Sequence, residues 1–400
     1  MSNTLADQFS HPIIAAIAPF QAEYVAIRRD LHAHPELGFE EVRTANVVAD
    51  ALVRFGVDEV HRGVGRTGVV GVIRGSGPPG NGAVGLRADM DALPIQEEAQ
   101  PPYRSTVPGK MHGCGHDGHT TMLLAAARYL AQTRRFNGTV YLYFQPGEEG
   151  HAGARAMIED GLFERFPADA VYALHNWPSL PAGAVGLNRG SMMAGIDRFS
   201  LRIFGRGGHG GHPQHTIDPI TAAAQIVMGI QSIVPRNLSP FDSGVIGLHH
   251  IEAGTKGALS IVPDSLSISG MVKWYRREVQ EVLERRLRQV CENGAASFDA
   301  RAELSYEALY PPTVNSPDEA RLVENVARAI VGEERVFLDL EPSMGSEDFS
   351  FMLLERPGAY FRLGTGNPTP LHNPSYDFND EIIPVGAAVF AGIVEEQLRG

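Results

Sequence analysis

Apolar residues follow two different spacings along the chain, one typical of buried strands and the other of helices. Short runs rich in β-branched or aromatic residues predict strands at 68–73, 83–86, 139–145, 170–174 and 359–363. Helical spacing of apolar residues predicts helices at 20–37, 44–55, 120–130 and 321–331. Helices that alternate with apolar strands indicate an α/β fold, in which a mostly parallel sheet has helices on both faces.

A second order of elements begins after residues 189–195, which read as a hinge. The strands predicted there are 198–204, 244–251, 265–275 and 301–308, and the helices are 217–233 and 278–292. This βαββαβ order predicts a ferredoxin-like α+β domain, and Pro311 and Pro312 would form the return hinge. We therefore expect a discontinuous catalytic domain at 1–190 and 310–400, interrupted by an inserted domain at 191–309.

Composition narrows the class of protein. A chain of 400 residues with 43% hydrophobic and 20% charged residues is an ordinary globular protein with room for two domains. The formal charge of -13 argues against a nucleic acid or an anionic membrane as partner. Residues 1–20 show no secretory signal, and the chain has only two cysteines, so we expect a reducing, cytoplasmic location.

The densest cluster of possible metal ligands is the run Met-His-Gly-Cys-Gly-His-Asp-Gly-His at 111–119. Cys114 and His116 lie two residues apart beside glycines, so the backbone can bend and direct both side chains to one point. Thiolate and imidazole are the donors that zinc prefers. The alternative is a polar loop in which Asp117 or Thr120 only caps the following helix.

Acidic pairs follow two of the predicted strands. Asp89 and Asp91 could be the nucleophile pair of a phosphotransferase, bind a metal, or orient a ligand histidine, and we favour the last role for Asp91. Glu148 and Glu149 point opposite ways if extended, so one could bind metal while the other transfers protons; a solvated acidic turn is the alternative.

Ligand-type residues recur where predicted strands end, in the sheet edge or the loops that leave it. They are Asp91, Cys114, His116, Glu148, Glu149 and His175. In parallel sheets, ligands gather beyond the carboxyl ends of the strands. The sequence therefore predicts that these residues converge.

The segment 205–210 matches the dinucleotide pattern Gly-x-Gly-x-x-Gly between a strand and a helix. The match is weak evidence for a nicotinamide-dinucleotide site, because no acidic residue stands at the end of a second strand about twenty residues later. We interpret these glycines as a flexible loop that lets His209 reach a reaction centre. The alternative is that His209 is only a residue of a turn.

Eight motifs in order resemble the M20 metallopeptidase family, in its aminoacylase, hippurate hydrolase and auxin-conjugate hydrolase branch. The motifs lie at 31–37, 87–94, 112–117, 145–150 with 175–178, 207–209, 345–349 and 371–373. The resemblance implies two divalent metal ions held by Cys114, His116, Glu149, His175 and His372. Zinc suits these donors best, although related sites accept manganese, cobalt or nickel.

The resemblance also implies roles for other residues. Glu148 is similar to the general acid/base, Asp91 to a carboxylate that orients a ligand, and His209 to a histidine that reaches the neighbouring active site of a dimer. Ser260 and Lys273 occupy positions where the family usually has Asn and Arg at the substrate's carboxylate end. Lysine cannot make the two-pronged carboxylate contact of arginine, so these two residues bear on substrate preference.

The expected function is hydrolysis of an N-acyl amino acid to a carboxylate and a free amino acid. Two divalent ions would polarise the amide and lower the pKa of a water molecule, and Glu148 would carry the proton to the departing amine. A dipeptidase or aminopeptidase-like enzyme of the same fold is the nearest alternative. A nicotinamide-dependent oxidoreductase that uses the loop at Gly205 is a remote one, and a catalytically inactive metal-binding protein is a third. The resemblance implies a homodimer or higher homo-oligomer formed by the inserted domain.

Overall fold

The computed structural model describes residues 5–77 and 82–399. Its strands are β1 (Glu59–Val64), β2 (Gly68–Arg74), β3 (Ala83–Asp89), β4 (Thr139–Gln145), β5 (Ala170–Trp177), β6 (Val185–Leu187), β7 (Ser191–Met193), β8 (Gly195–Phe204), β9 (Gly208–His209), β10 (Gly244–Ala253), β11 (Ile261–Val262), β12 (Ser265–Trp274), β13 (Arg301–Tyr310), β14 (Thr313–Val314), β15 (Val336–Leu338) and β16 (Gly358–Gly364). The stretch 1–20 falls partly outside the described residues, at 1–4, and residues 78–81, between two predicted strands, also lie outside them.

Each of the six predicted helices overlaps an α-helix of the described chain, with ends that differ by up to four residues. They are α1 (Pro12–Ile17), α2 (Gln21–Ala33), α3 (Val42–Phe55), α4 (His116–Thr133), α5 (Glu148–His151), α6 (Gly153–Glu159), α7 (Leu162–Arg165), α8 (Pro219–Gln231), α9 (Ile233–Asn237), α10 (Arg277–Ala296), α11 (Pro317–Val331), α12 (Ser350–Glu355) and α13 (Ile383–Gln397). None of these helices is long and apolar enough to cross a membrane.

The chain divides into two compact units. The first contains residues 5–192, 313–342 and 348–399, and the second contains residues 193–312 and 343–347. The second unit therefore includes a short segment, 343–347, that a single insertion at 191–309 does not contain.

The first unit is built on one eight-stranded sheet of order β1-β2-β4-β3-β5-β16-β6-β15. The central strands β4, β3, β5 and β16 are parallel to one another, whereas β1, β2 and β6 add antiparallel pairings. Every residue of β3 and β16 is buried. Because successive side chains of a strand point to opposite faces, this burial requires cover on both faces. The predicted α/β fold is confirmed.

Helices of the first unit form the layers that cover this sheet. α4 packs against α13 and on β3, while α11 packs against α13 and on β16. α6 packs on β4 and contacts α12. The sequence analysis did not predict α13, whose residues from Ile383 to Val394 are all buried, because a helix that is apolar on every side has no amphipathic period.

The second unit has the predicted βαββαβ order. Strands β8, β10, β12 and β13 form an antiparallel sheet of order β10-β12-β8-β13, with α8 and α10 packed on it. Burial alternates along β8, which is typical of a sheet covered on one face. Its core includes Phe199, Leu201, Ile226 and Leu287.

Candidate metal centre

Possible metal ligands meet at the carboxyl ends of three neighbouring strands, β4, β3 and β5. Asp91 follows β3, Glu148 follows β4, and His175 lies near the end of β5. The strand β5 continues past the predicted end at 174, so His175 belongs to the strand itself, not to the loop after it. The regular strand backbone thereby fixes the position of its imidazole.

The Cys/His run leads directly into α4, which begins at His116 rather than at the predicted residue 120. Gly115 precedes the helix with φ of 86°, and a Cβ atom there would lie 2.4 Å from the Asn176 side-chain oxygen. Only glycine fits this left-handed position in such close contact. The tight bend brings Cys114 Sγ within 3.5 Å of His175 Nε2.

A second loop brings His372 to the same centre. Its Nε2 lies 3.2 Å from Glu149 Oε1, and its backbone N–H donates to the carbonyl of Gly113 at 2.8 Å. His372 has a positive φ of 62°, a conformation that the hydrogen bond to the Cys/His run stabilises. The loop after β16 is therefore anchored to the run that contains Cys114.

The ligand atoms fall into overlapping groups whose members lie within 4.8 Å of one another. These groups are Cys114, His116 and His175; Cys114, Glu149 and His372; and His116, Glu148 and Glu149. The sulfur of Cys114 belongs to the first two groups, which suits a pair of neighbouring ions sharing ligands. Sequence reasoning expected these residues to converge, and the structure brings them together.

Two atoms of these groups show that the residues present fit a cation. His116 Nε2 is buried and makes no hydrogen bond of normal geometry within the described part of the chain, while Glu149 Oε1, also buried, faces the imidazole of His372 at 3.2 Å. Buried polar atoms almost always have a partner, so an unbonded imidazole nitrogen beside a thiol and a carboxylate indicates a ligand to be bound. Sulfur, imidazole and carboxylate donors together suit a divalent transition metal.

Asp91 determines which nitrogen of His116 is available. The Nδ1 of His116 lies 2.9 Å from the Asp91 carbonyl oxygen and 3.3 Å from its Oδ1, so Nδ1 carries the proton and Nε2 is free to bind. The other carboxylate oxygen of Asp91 accepts from the backbone N–H of Glu149 at 2.9 Å. One buried carboxylate thus orients both neighbours.

His119 has a different role from His116, although sequence alone does not distinguish them. Its Nδ1 lies 2.6 Å from Asp89 Oδ1, and its Nε2 accepts from the backbone N–H of Asn176 at 2.9 Å. Both ring nitrogens are therefore in use, and His119 cannot also bind a metal in this arrangement. Instead it connects β3 to the residue that follows His175.

The charges around the centre favour a cation. Burial alone would lower the pKa of His116, but the charge of Asp89 raises it well above the usual value. Hydrogen bonds to Cys114 and Glu149 raise the pKa of His372 to about 10. Burial lowers the pKa of His175 and raises that of the Cys114 thiol. The same negative groups that hold protons on imidazoles attract a metal ion in their place.

Glu148 is buried beside a charged network that sequence reasoning missed. Its Oε1 accepts from the backbone N–H of Asp348 at 3.3 Å. The Asp348 carboxylate accepts in turn from Arg87 at 3.0 Å and from Gln145 at 2.7 Å. Asp348 lies just before α12, which begins at Ser350. Arg87, a charged residue within the buried strand β3, was the available signal.

His209 and Ser260 lie side by side in the second unit. His209, in β9, pairs with Ile261 of β11, and the N–H of Gly210 donates to the Ser260 carbonyl at 2.7 Å. Both side chains are exposed. The glycine loop at 205–210 does not open a helix, because α8 begins only at Pro219. It therefore lacks the helix N-terminus that a dinucleotide pyrophosphate requires.

Lys273, also in the second unit, is buried in β12. Its Nζ donates to Ser346 Oγ at 2.7 Å, and the Ser346 hydroxyl donates to the Ala194 carbonyl at 2.8 Å. Within the described residues no carboxylate lies at ion-pair distance from Lys273. Burial lowers the pKa of this amine to about 8.

Known proteins are similar to this chain over almost its whole length. It is 41% identical to hippurate hydrolase of Campylobacter jejuni, over 97% of this chain and 100% of that protein. It is 39% identical to an IAA-amino acid hydrolase of Arabidopsis thaliana, over 94% of this chain and 85% of that protein. A Bacillus subtilis structure described as a dinuclear metal binding peptidase superposes with a TM-score of 0.83, at 32% identity over 95% of this chain and 99% of that one.

The model of one protein family matches most of the chain. Residues 85–396 match peptidase family M20/M25/M40, and this range contains β4, β5, the end of β3 and both loops that bring the candidate ligands together. The chain therefore belongs to peptidase family M20/M25/M40 and is a metal-dependent hydrolase of amide bonds.

Proposed function

We propose that this enzyme hydrolyses the amide bond of N-acyl amino acids at a pair of divalent metal ions. The observation that carries the proposal is the sharing of Cys114 between two ligand groups, with the buried carboxylate of Glu148 beside them. The relatives named for hippurate and IAA-amino acids support an N-acyl amino acid as the substrate. The acyl group and the amino acid are left to experiment.

The residues proposed to hold the ions are Cys114, His116, Glu149, His175 and His372. Divalent ions supply Lewis acidity, which lowers the pKa of water and polarises an amide carbonyl. Glu148 takes a proton from the attacking water and delivers it to the departing amine. Asp91 keeps the Nδ1 proton on His116 and so presents Nε2 to the metal.

We propose two roles for the second unit: it contacts the substrate, and it joins two copies of the chain. His209 stabilises the negative charge that develops on the amide oxygen, while Ser260 and Lys273 bind the carboxylate end of the amino acid. We propose that this unit serves as a lid and forms a homodimer, so that His209 acts in the partner's active site. The enzyme is proposed to be cytoplasmic, with zinc as the first candidate metal.

Substrate class is tested by release of free amino acid from N-acetyl-, N-benzoyl- and indoleacetyl-amino acids and from dipeptides. We expect N-acyl amino acids to be cleaved, about two metal ions per chain, and loss of activity after chelation that added metal restores. Cleavage of dipeptides alone would replace this proposal with a dipeptidase. A protein that binds no metal and hydrolyses no substrate, even after metal is added back, would contradict the proposal.

The proton-transfer role of Glu148 predicts a specific defect. Glu148→Gln should lower kcat at least ~100-fold, because a general base typically contributes about 100- to 10,000-fold, while the metal content stays that of the unmodified enzyme. Glu149→Gln is the matched comparison, since it should lower metal content as well. Metal analysis by mass spectrometry and steady-state kinetics measure both effects. Turnover unchanged in Glu148→Gln would remove Glu148 from the mechanism.

The two imidazoles of α4 should respond differently to substitution. His116→Asn should decrease the metal bound per chain after dialysis, because it removes the free Nε2. His119→Asn should retain its metal, because both nitrogens of His119 already have protein partners. Equal loss of metal in both variants, with both folded by circular dichroism, would contradict this distinction.

The lowered pKa of Lys273 predicts that the affinity for substrate depends on pH. The amine binds a carboxylate only when protonated, and its pKa is about 8, so KM should rise as the pH increases from 7 to 9 while kcat changes less. Lys273→Arg should flatten this rise, because arginine stays protonated throughout the range. A rise in KM of the same size in Lys273→Arg would show that another group titrates.

A further inference from the structure

The turn that carries Glu148 and Glu149 has an irregular backbone. Gly147, Gly150 and Ala152 have positive φ values of 58°, 82° and 55°, and Glu149 has non-helical dihedral angles within α5. A segment with this many departures from helical geometry cannot form the continuous ladder of hydrogen bonds that fixes a regular helix. Contacts from outside the turn must therefore set the directions of the two glutamate side chains.

Three such contacts reach three consecutive residues of the turn. The N–H of Glu149 donates to Asp91 at 2.9 Å, and the side chain of Glu148 accepts from the Asp348 N–H at 3.3 Å. The N–H of Gly147 donates to Glu41 Oε1 at 2.8 Å. Asp91 and Asp348 have already been described at the metal centre, whereas Glu41 has no role in the proposed chemistry.

Glu41 is a fully buried carboxyl group without a cation beside it in the described chain. Its second oxygen accepts from the hydroxyl of Thr67 at 2.6 Å. Burial raises the pKa of Glu41 to about 7, and the nearby charge of Asp91 contributes to the rise. A buried acid without an ion pair destabilises the fold unless hydrogen bonds compensate, so its two hydrogen bonds are the interactions through which Glu41 can act on its surroundings.

The backbone of Glu41 is held firmly. It immediately precedes α3, and its carbonyl accepts from the N–H of Ala45 at 2.9 Å. On the other side, the Gly147 position lies against Phe39, since a Cβ atom there would be 3.3 Å from that ring. The carboxylate is therefore a short, rigid connection between the start of α3 and the Gly147 peptide.

We propose that Glu41 is a positioning residue, whose carboxylate fixes the Gly147 peptide and thereby the directions in which Glu148 and Glu149 leave the turn. The inference rests on the proposed role of Glu148 as general base. What matters on this view is the distance that the side chain spans and its hydrogen bonds to both Gly147 and Thr67, not its negative charge.

Two substitutions separate distance from charge. Glu41→Asp keeps the carboxylate but is one methylene shorter, so it cannot reach Gly147 and Thr67 together. Glu41→Gln keeps the length; its amide oxygen can accept from Gly147, and its NH₂ can donate to the Thr67 hydroxyl, which accepts as readily as it donates. The proposal expects Glu41→Asp to lower kcat by about 10- to 100-fold, as loss of a supporting contact does, and Glu41→Gln to stay within roughly threefold.

Glu36 supplies a matched control from the same region. Its carboxylate accepts from the backbone N–H groups of Arg43 at 3.0 Å and Thr44 at 2.8 Å, so it also binds backbone donors at α3 but does not contact the turn. Glu36→Asp should lower the melting temperature without lowering kcat more than about twofold. This control shows what a purely structural loss at α3 does to the enzyme.

A second readout does not depend on activity. Hydrogen exchange of a peptide covering 145–149, followed by mass spectrometry, should be faster in Glu41→Asp and unchanged in Glu41→Gln and Glu36→Asp. Metal content is measured in parallel. Full kcat and normal exchange in Glu41→Asp would overturn the proposal, and so would a loss in Glu41→Gln equal to that in Glu41→Asp. An unmodified enzyme that hydrolyses no substrate, or full turnover in Glu148→Gln, would instead count against the proposed function.

Discussion

Repulsion among buried carboxylates is the constraint on which this centre depends. Asp89, Asp91 and Asp348 are fully or almost fully buried, and Glu148 is nearly so. Arg87 offsets part of this charge through its bonds to Asp89 and Asp348. The remainder is negative, and its repulsion is relieved by protons on imidazoles or by metal ions. Affinity for cations therefore follows from the charge balance of the strand ends as much as from the identity of the ligands.

Hydrogen-bond direction then divides the histidines into two kinds. His116 donates from Nδ1 to a backbone carbonyl and keeps Nε2 free, whereas His119 accepts a backbone N–H at Nε2. The same amino acid three positions apart on α4 is thus a candidate ligand in one case and a connection between strands in the other. Proximity to other ligand atoms does not separate the two histidines, because the ligand atoms of His119, His116 and Asp89 also lie within 4.8 Å of one another.

The sequence predicted the fold class, most strands and the convergence of the ligands, because these follow from periodicity and from residues of distinctive chemistry. It placed the start of α4 too late, since the left-handed Gly115 that permits an early start is set by its contact with Asn176. It missed α13, which has no polar face. Glu41 gave no signal either: it stands next to exposed Glu40 in an acidic pair, and only tertiary packing buries one of the two.

The position of Cys114 makes two ligand groups depend on the chemistry of a single thiol. Its sulfur belongs to two ligand groups, so any chemistry that consumes the thiolate removes a donor from both at once. Oxidation of a thiolate to a sulfenic acid is such a chemistry, and a bound metal protects against it by occupying the sulfur lone pairs. In the proposed two-ion centre, one sulfur atom would therefore serve both metal positions, and its oxidation would weaken both.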